Sequence, residues 1–416
     1  MDLILSTVED LFVTVSVPLY DTIIPILRKI RFFILLPFTP ILKLITDHAF
    51  AQIGVKIDSD MKSHPDMVIL DNRFYARLWS DQVFGLEEMY VEEWWKTENI
   101  ELLYDKIMTV FDKYRWFLKL HIAHWEGRFR WGWLNTGRAG HNFKAAEEYE
   151  LRESPVEYFK LLTDKEHIQH SCGYYANGAS TYSAAHVEKL KLIASKLELK
   201  AGMTLLDVGC GFGGLAKFMA DRYGVTAEGV TICESMSKVA QNHYIGSKVT
   251  IKHQHWREME GKFDRITIIE MLEHVGKQNY DEFFRKIESL LKPGGRVLLQ
   301  HYAVDPGTPH FTEFGCKYQF GQVYFPDFAE FVSPCSRYFR IANVQDFSLD
   351  AERCAHHFID MIQDNWAELE ALVGLKVVRA LRATYAEALA TVKARAVMIY
   401  QTVLVRKDDR TRVPVQ

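Results

Sequence analysis

The sequence predicts a doubly wound α/β domain behind a smaller helical domain and a hydrophobic amino-terminal segment. Three observations predict it. From about Pro155 onward, short apolar strand patterns alternate with amphipathic helical patterns, as expected of a sheet covered by helices. A glycine-rich stretch at 207–214 lies between one such strand and one such helix, where α/β sheets turn sharply beside a ligand cleft. Ahead of Pro155 that alternation is missing, and the first 56 residues are markedly apolar.

Strands are expected at 204–209, 225–231, 248–254, 263–270, 296–302, 339–347 and 397–406, which makes a seven-stranded sheet. Helices are expected between most of them, at 215–223, 235–244 and 279–291. The 416 residues leave room for two or three domains. A hydrophobic share of 48% with 25% charged residues excludes a disordered or fibrous chain. Lys and Arg number 50 against 54 Asp and Glu, a balance that lacks the basic footprint of a nucleic-acid binder. The six cysteines at 172, 210, 233, 316, 335 and 354 form no CxxC pair. Neither a metal site nor a disulfide framework is expected, and a reducing, cytoplasmic setting follows.

The amino terminus reads as a segment that touches membranes without crossing them. Its apolar stretch at 3–27 is broken by Glu9, Asp10, Pro18 and Asp21. Arg28, Lys29 and Arg31 then precede an apolar run at 32–42 that contains Pro37 and Pro40. A spanning helix needs about 20 uninterrupted apolar residues, and a cleavable signal starts with basic residues. Residues 1–56 are therefore expected to lie in the interface, with the basic cluster near anionic head groups. Residues 57–150 are assigned to the helical domain, in which 114–133 interleaves Trp, Phe and Arg as at an apolar–polar boundary. Residues 151–416 make up the α/β domain, which includes helical elements for lipid binding.

The loop Asp207-Val208-Gly209-Cys210-Gly211-Phe212-Gly213-Gly214 also satisfies a dinucleotide fingerprint through Gly209, Gly211 and Gly214. Asp207, directly before the loop, suits a cationic ligand bearing an amino acid better than a pyrophosphate. The run Leu290-Leu291-Lys292-Pro293-Gly294-Gly295-Arg296 leads into the next strand, as in Rossmann-like methyltransferases of class I. The second strand, Glu228-Gly229-Val230-Thr231-Ile232, carries Thr231 where an acidic residue would hold ribose hydroxyls.

Taken together, these residues resemble the cyclopropane-fatty-acyl-phospholipid synthase family of S-adenosylmethionine-dependent lipid methyltransferases. Ser171-Cys172-Gly173-Tyr174-Tyr175, the glycine loop, the Thr231 strand and Glu273-His274-Val275-Gly276 carry the resemblance, which spans about residues 84–406. It implies attack of an acyl-chain double bond on a sulfonium methyl, followed by proton loss that closes a cyclopropane. Such chemistry requires water to be excluded, the cation stabilised and a base placed nearby.

By the resemblance, Glu273, His301 and Cys172 are the catalytic candidates: Glu273 balances the cation and orients the base, while His301 and Cys172 line a bicarbonate site. His170, Ser171, Asp207, Gly209, Gly211, Gly213, Thr231, His255 and Trp256 are the cofactor candidates, with Trp256 beside the adenine. S-adenosylmethionine is the implied cofactor, with bicarbonate as a second. The implied partners are a phospholipid membrane surface and an unsaturated acyl chain, and a homodimer is left open. The chain departs from the family at several positions. Ala351 stands in the place of a bicarbonate-binding tyrosine, Met236 in that of a glutamine, Ala388 in that of a late cysteine, and Glu148-Tyr149-Glu150 replaces a His-Tyr-Asp motif. Two other readings compete with this one: an amine N-methyltransferase of the same family, which needs no bicarbonate, and a catalytically silent lipid-binding protein.

Overall fold

The computed structural model describes residues 2–58, 64–118, 122–127, 155–244, 248–305, 313–320 and 323–409. It divides into two compact units. One comprises Met1–Ala139, Pro309–Phe320 and Trp366–Ala394; the other comprises Gly140–Thr308, Gly321–Asn365 and Arg395–Gln416.

The second unit contains the predicted sheet. Its strands are, in order, Thr204–Val208, Thr226–Thr231, Val249–His253, Phe263–Ile269, Leu291–Val304, Phe339–Asp346 and Val397–Arg406. Across the sheet they run third, second, first, fourth, fifth, seventh, sixth. The first five are parallel, and the seventh is antiparallel to both of its neighbours. The central strands are buried on both faces, and for that reason Leu205-Leu206 and Ile266-Thr267-Ile268 read as nearly continuous runs instead of alternating. Helix Tyr280–Leu290 covers one face through Phe283, Phe284, Ile287 and Leu290, spaced as one helical stripe. Helix Tyr182–Leu197 is started by Thr181, whose side chain accepts the Ala184 N–H at 3.2 Å.

The first unit is mainly helical. It includes Asp2–Leu35, Thr39–Gln52, Phe74–Val91, Ile100–Leu118 and Leu375–Lys393, with a small three-stranded sheet. This grouping differs from the linear division at 56 and 150: helix Leu375–Lys393 packs with Phe74–Val91 and Ile100–Leu118, whereas its position in the sequence had placed it in the α/β domain.

The amino-terminal basic cluster is also corrected. Arg28 is buried, and its guanidinium binds Glu313 in a two-pronged pair at 2.6 and 2.7 Å. Arg31 pairs with the buried Glu126. These two cations neutralise carboxylates inside the unit and are not free for lipid head groups; Lys29 alone of the three is exposed. Among the described residues, no helix is long and apolar enough to cross a membrane. The aromatic stretch at 114–133 and Glu148-Tyr149-Glu150 fall largely or wholly outside the residues whose side chains are described.

Candidate active site

Strand order reverses between the first and fourth strands. The connections leaving their carboxyl ends diverge there and open a crevice, the usual ligand position in such sheets. The residues at that edge come from four segments of the second unit: 169–175, 207–214, 270–276 and 300–302.

The glycine loop is shaped for close approach. Gly211 has φ +54°, and a Cβ there would meet no atom within 4 Å, so the loop faces open space at this point. Gly214, which begins helix Gly214–Tyr223, is pinned from behind: a Cβ would stand 1.9 Å from the His167 carbonyl oxygen. Gly209 and Gly213 complete the turn beside them. Asp207 lies beneath the loop, buried, and accepts the Thr267 hydroxyl at 2.8 Å. Burial pushes its carboxyl up to about 6 against the pull of that bond and of the Lys189 charge. Thr231 is buried, and its Oγ1 accepts the Cys233 N–H at 3.2 Å.

Two carboxylates follow the fourth strand. Glu273 is buried, and its Oε1 accepts the Tyr302 N–H at 2.5 Å, while Oε2 has no partner among the described residues. Burial pushes this carboxyl up to about 8. Glu270, three residues earlier, has a left-handed backbone with φ 50°. Its Oε1 accepts both the Cys172 N–H and the Gln300 amide, each at 2.8 Å. Gln300 also donates to the Cys172 carbonyl at 3.3 Å and accepts from Gln401 at 3.1 Å; Gln401 in turn is held by Lys196 at 2.6 Å. The buried Lys189 donates to Gln169 at 3.1 Å and to Ser171, fixing the segment that carries Cys172.

Of the sequence candidates, Cys172 and Glu273 come together at this edge with the glycine loop and Ser171. Cys172 contributes its backbone; burial pushes its thiol far above the usual range, which excludes a thiolate nucleophile. His170 stands edge-on between Phe159 and Phe358, with ring centroids 5.2 and 5.3 Å away.

His301 does not reach the site. Successive strand residues face opposite sides, so the Gln300 amide reaches the Cys172 carbonyl and Glu270 while His301 packs edge-on against Phe331 at 4.3 Å. Burial lowers its imidazole to about 4, which leaves it neutral. Trp256 is likewise a core residue. It is buried against Phe283, with the Arg257 guanidinium 4.2 Å above its ring, so it offers no free face to an adenine. His255 caps the short turn at Trp256–Glu258, and its Nδ1 accepts the Arg257 N–H at 3.2 Å. Sequence reasoning missed Glu270, Gln300 and Lys189. The available signal was the pair of acids in Glu270-Met271-Leu272-Glu273 and a polar Gln300 closing an apolar strand.

Residues 141–402 match the family described as mycolic acid cyclopropane synthetase. The chain belongs to the mycolic acid cyclopropane synthetase family. It is 28% identical over 333 residues to the cyclopropane-fatty-acyl-phospholipid synthase of Escherichia coli strain K12, covering 78% of this chain and 83% of the relative. A probable fatty acid methyltransferase of Pseudomonas putida is 27% identical over 54% of this chain and 60% of the relative. Among solved structures, a mycolic acid cyclopropane synthase complexed with SAH and CTAB superposes with TM-score 0.58 at 23% identity, over 63% of this chain and 97% of the other. Coclaurine N-methyltransferase superposes with TM-score 0.57 at 18% identity, over 77% and 98%. The fold is that of the S-adenosylmethionine methyltransferases, and this member of the cyclopropane synthetase family is an S-adenosylmethionine-dependent methyltransferase.

Proposed function

We propose that the protein adds the one-carbon unit of S-adenosylmethionine across the double bond of an unsaturated phospholipid acyl chain, closing a cyclopropane. The observation that carries this reading is the buried, half-unpartnered carboxylate of Glu273 at the sheet's switch point, within the matched span 141–402. The residues fit the cofactor: Gly211 faces open space, and Asp207 and Glu273 place acidic groups where a cationic ligand would be balanced. When bound, S-adenosylmethionine supplies a methyl carbon made electrophilic by its sulfonium sulfur. Gly211 lets the backbone come close to the ligand, while Gly209 and Gly213 let the turn pack closely against Met271 and Tyr244. Asp207 attracts its ammonium group. Glu273 stabilises positive charge on the acyl chain in a site with few competing water contacts.

The direct test incubates the purified chain with methyl-labelled S-adenosylmethionine and vesicles of unsaturated phospholipid. Acyl chains should gain the mass of one methylene and resist catalytic hydrogenation. A gain that takes up hydrogen would indicate a branched unsaturated product, and label found in small amines but not in lipid would replace this reading with N-methylation.

The substrate sits in a membrane, and the first unit presents a face suited to one. Ile23, Ile26, Ile30, Phe33, Ile34, Ile41 and Leu44 are exposed along helices Asp2–Leu35 and Thr39–Gln52, with Phe33 at 65% and Leu44 at 73% exposure. On helix Asp2–Leu35 the positions 23, 26, 30, 33 and 34 share one face, and Ile41 and Leu44 add exposed apolar side chains on the next helix, a pattern that marks an interaction surface. Peripheral association through this surface would place the enzyme on its substrate. Replacing Phe33, Ile34 and Ile41 together with Glu should lower partition onto phospholipid vesicles by about tenfold or more, given roughly 1.5–3 kcal/mol for each buried large apolar side chain. Partition equal to wild type would refute the docking role.

The resemblance also implies a bicarbonate ion as base, and the residues present do not fit it. The Cys172 N–H is spent on Glu270, His301 faces away, and the place of the tyrosine is taken by the buried Ala351. An anion set there would also lie beside the Glu270 carboxylate, where like charges repel.

A further inference from the structure

We propose that Glu270 is the base of this enzyme, its own carboxylate standing where a bicarbonate ion would otherwise be held. The inference rests on the alkene reading above and names the group that removes the final proton.

The geometry separates the two oxygens of Glu270. Oε1 takes both hydrogen bonds, from Cys172 and Gln300, and is thereby fixed. Oε2 takes no hydrogen bond from a described residue, and the side chain is only half-buried, so that oxygen is left open to a proton. The orientation is set from behind by Gln300, whose oxygen is occupied by Gln401, leaving its amide protons for Glu270 and the Cys172 carbonyl. Burial pushes the Glu270 carboxyl above the usual range, against the pull of the Cys172 N–H, the Lys189 charge and the Gln300 amide, which suits a group that must take up a proton. A non-glycine residue at φ 50° persists only where its surroundings hold it, and such positions cluster at functional sites. Glu270 stands at the carboxyl end of the fourth strand, at the switch point itself, three residues from Glu273.

The chemistry balances without a further reactant. Once the alkene has displaced S-adenosylhomocysteine from the methyl carbon, the lipid carries a cationic carbon adjacent to the newly methylated one. Glu270 Oε2 accepts one proton from that methyl group, and the C–H electron pair forms the bond that closes the ring. The neutral carboxyl then returns its proton to water as product leaves.

The test compares the wild-type chain with Glu270→Gln and Glu270→Gly, the latter because glycine adopts φ 50° without strain. Turnover of unsaturated phospholipid vesicles is measured in buffer stripped of carbon dioxide and in buffer with added bicarbonate or formate. Wild-type kcat should be the same in both. Both variants should lose about 100-fold or more in kcat with cofactor affinity within about threefold of wild type, as expected for removal of a general base. Added formate or bicarbonate should restore the glycine variant about tenfold or more, a rescue that a merely structural role would not give. Wild-type activity that vanishes only when bicarbonate is removed overturns the proposal and leaves the alkene reading intact. Full turnover in Glu270→Gln, or a glycine variant that is not rescued, overturns it in the same way. No product from the wild-type chain in either buffer overturns the alkene reading, and this proposal with it.

Discussion

Glu273→Gln should lower kcat by about 10²–10³-fold while cofactor affinity changes by no more than about threefold, the size expected when one preorganised charge is removed from a site that develops cation. The amide keeps the shape and can still accept the Tyr302 N–H, so lost charge is the main change. The same substitution should stabilise the protein at alkaline pH. An ordinary glutamate titrates near 4.5, whereas burial holds Glu273 up to about 8. The folded chain therefore binds more protons than the unfolded chain between those values, and stability falls as pH rises through that window. The full penalty is present above pH 8, and the amide does not incur it. Melting temperature measured against pH should show the variant gaining on wild type from about 4.5 to about 8 and holding the gain beyond. A sulfonium bound nearby should also drive the proton off Glu273, so calorimetry near pH 7 in buffers of different ionisation enthalpy should detect proton release with S-adenosylmethionine and less with S-adenosylhomocysteine. Equal losses of turnover and affinity would instead make Glu273 a binding residue.

Gly214→Ala and Gly211→Ala should fail in opposite ways. At 214 the new methyl would stand 1.9 Å from a backbone oxygen of His167, and no rotamer change relieves a clash with main chain. A loss of roughly 3 kcal/mol, or about 10 °C in melting temperature, is expected for such overpacking. At 211 the methyl projects into open space, so the fold should survive with only the modest strain of a positive φ. What it should lose is cofactor affinity, by about tenfold or more, since it fills room the backbone leaves for a ligand. Thermal melts together with equilibrium binding separate the two, and a Gly211→Ala chain that binds normally would move the cofactor off this loop.

The sheet was legible because its signal is local. All seven strands lie where alternation and apolar runs place them. The largest discrepancy is the fifth, which starts at Leu291, because Pro293-Gly294-Gly295, expected to lead into the strand, sits inside an irregular strand start. The site was legible where motif and topology agree, as for Asp207 and the glycine loop, which the structure sets at the sheet's switch point. It was not legible at Gln300-His301, where two adjacent polar residues compete for one inward position and a register difference of one exchanges them. The resemblance pointed to the histidine, and the pleat chose the glutamine. Trp256 misled for a related reason: an indole is equally suited to a ligand and to a core, and only its neighbours decide. Helix Leu375–Lys393 shows the same limit at domain scale, since an amphipathic helix records that it packs but not against what.

The pairing of Arg28 and Arg31 with Glu126 and Glu313 bears on how the chain can be shortened. An unpaired carboxylate enclosed by protein costs several kcal/mol. Clipping away the leading helix would strand Glu126 in that condition. A protease or a cloning boundary that removes residues 28–31 would therefore damage the remaining helices instead of releasing a dispensable tail, and soluble expression of the trimmed chain should require the buried Glu126 to be neutralised as well.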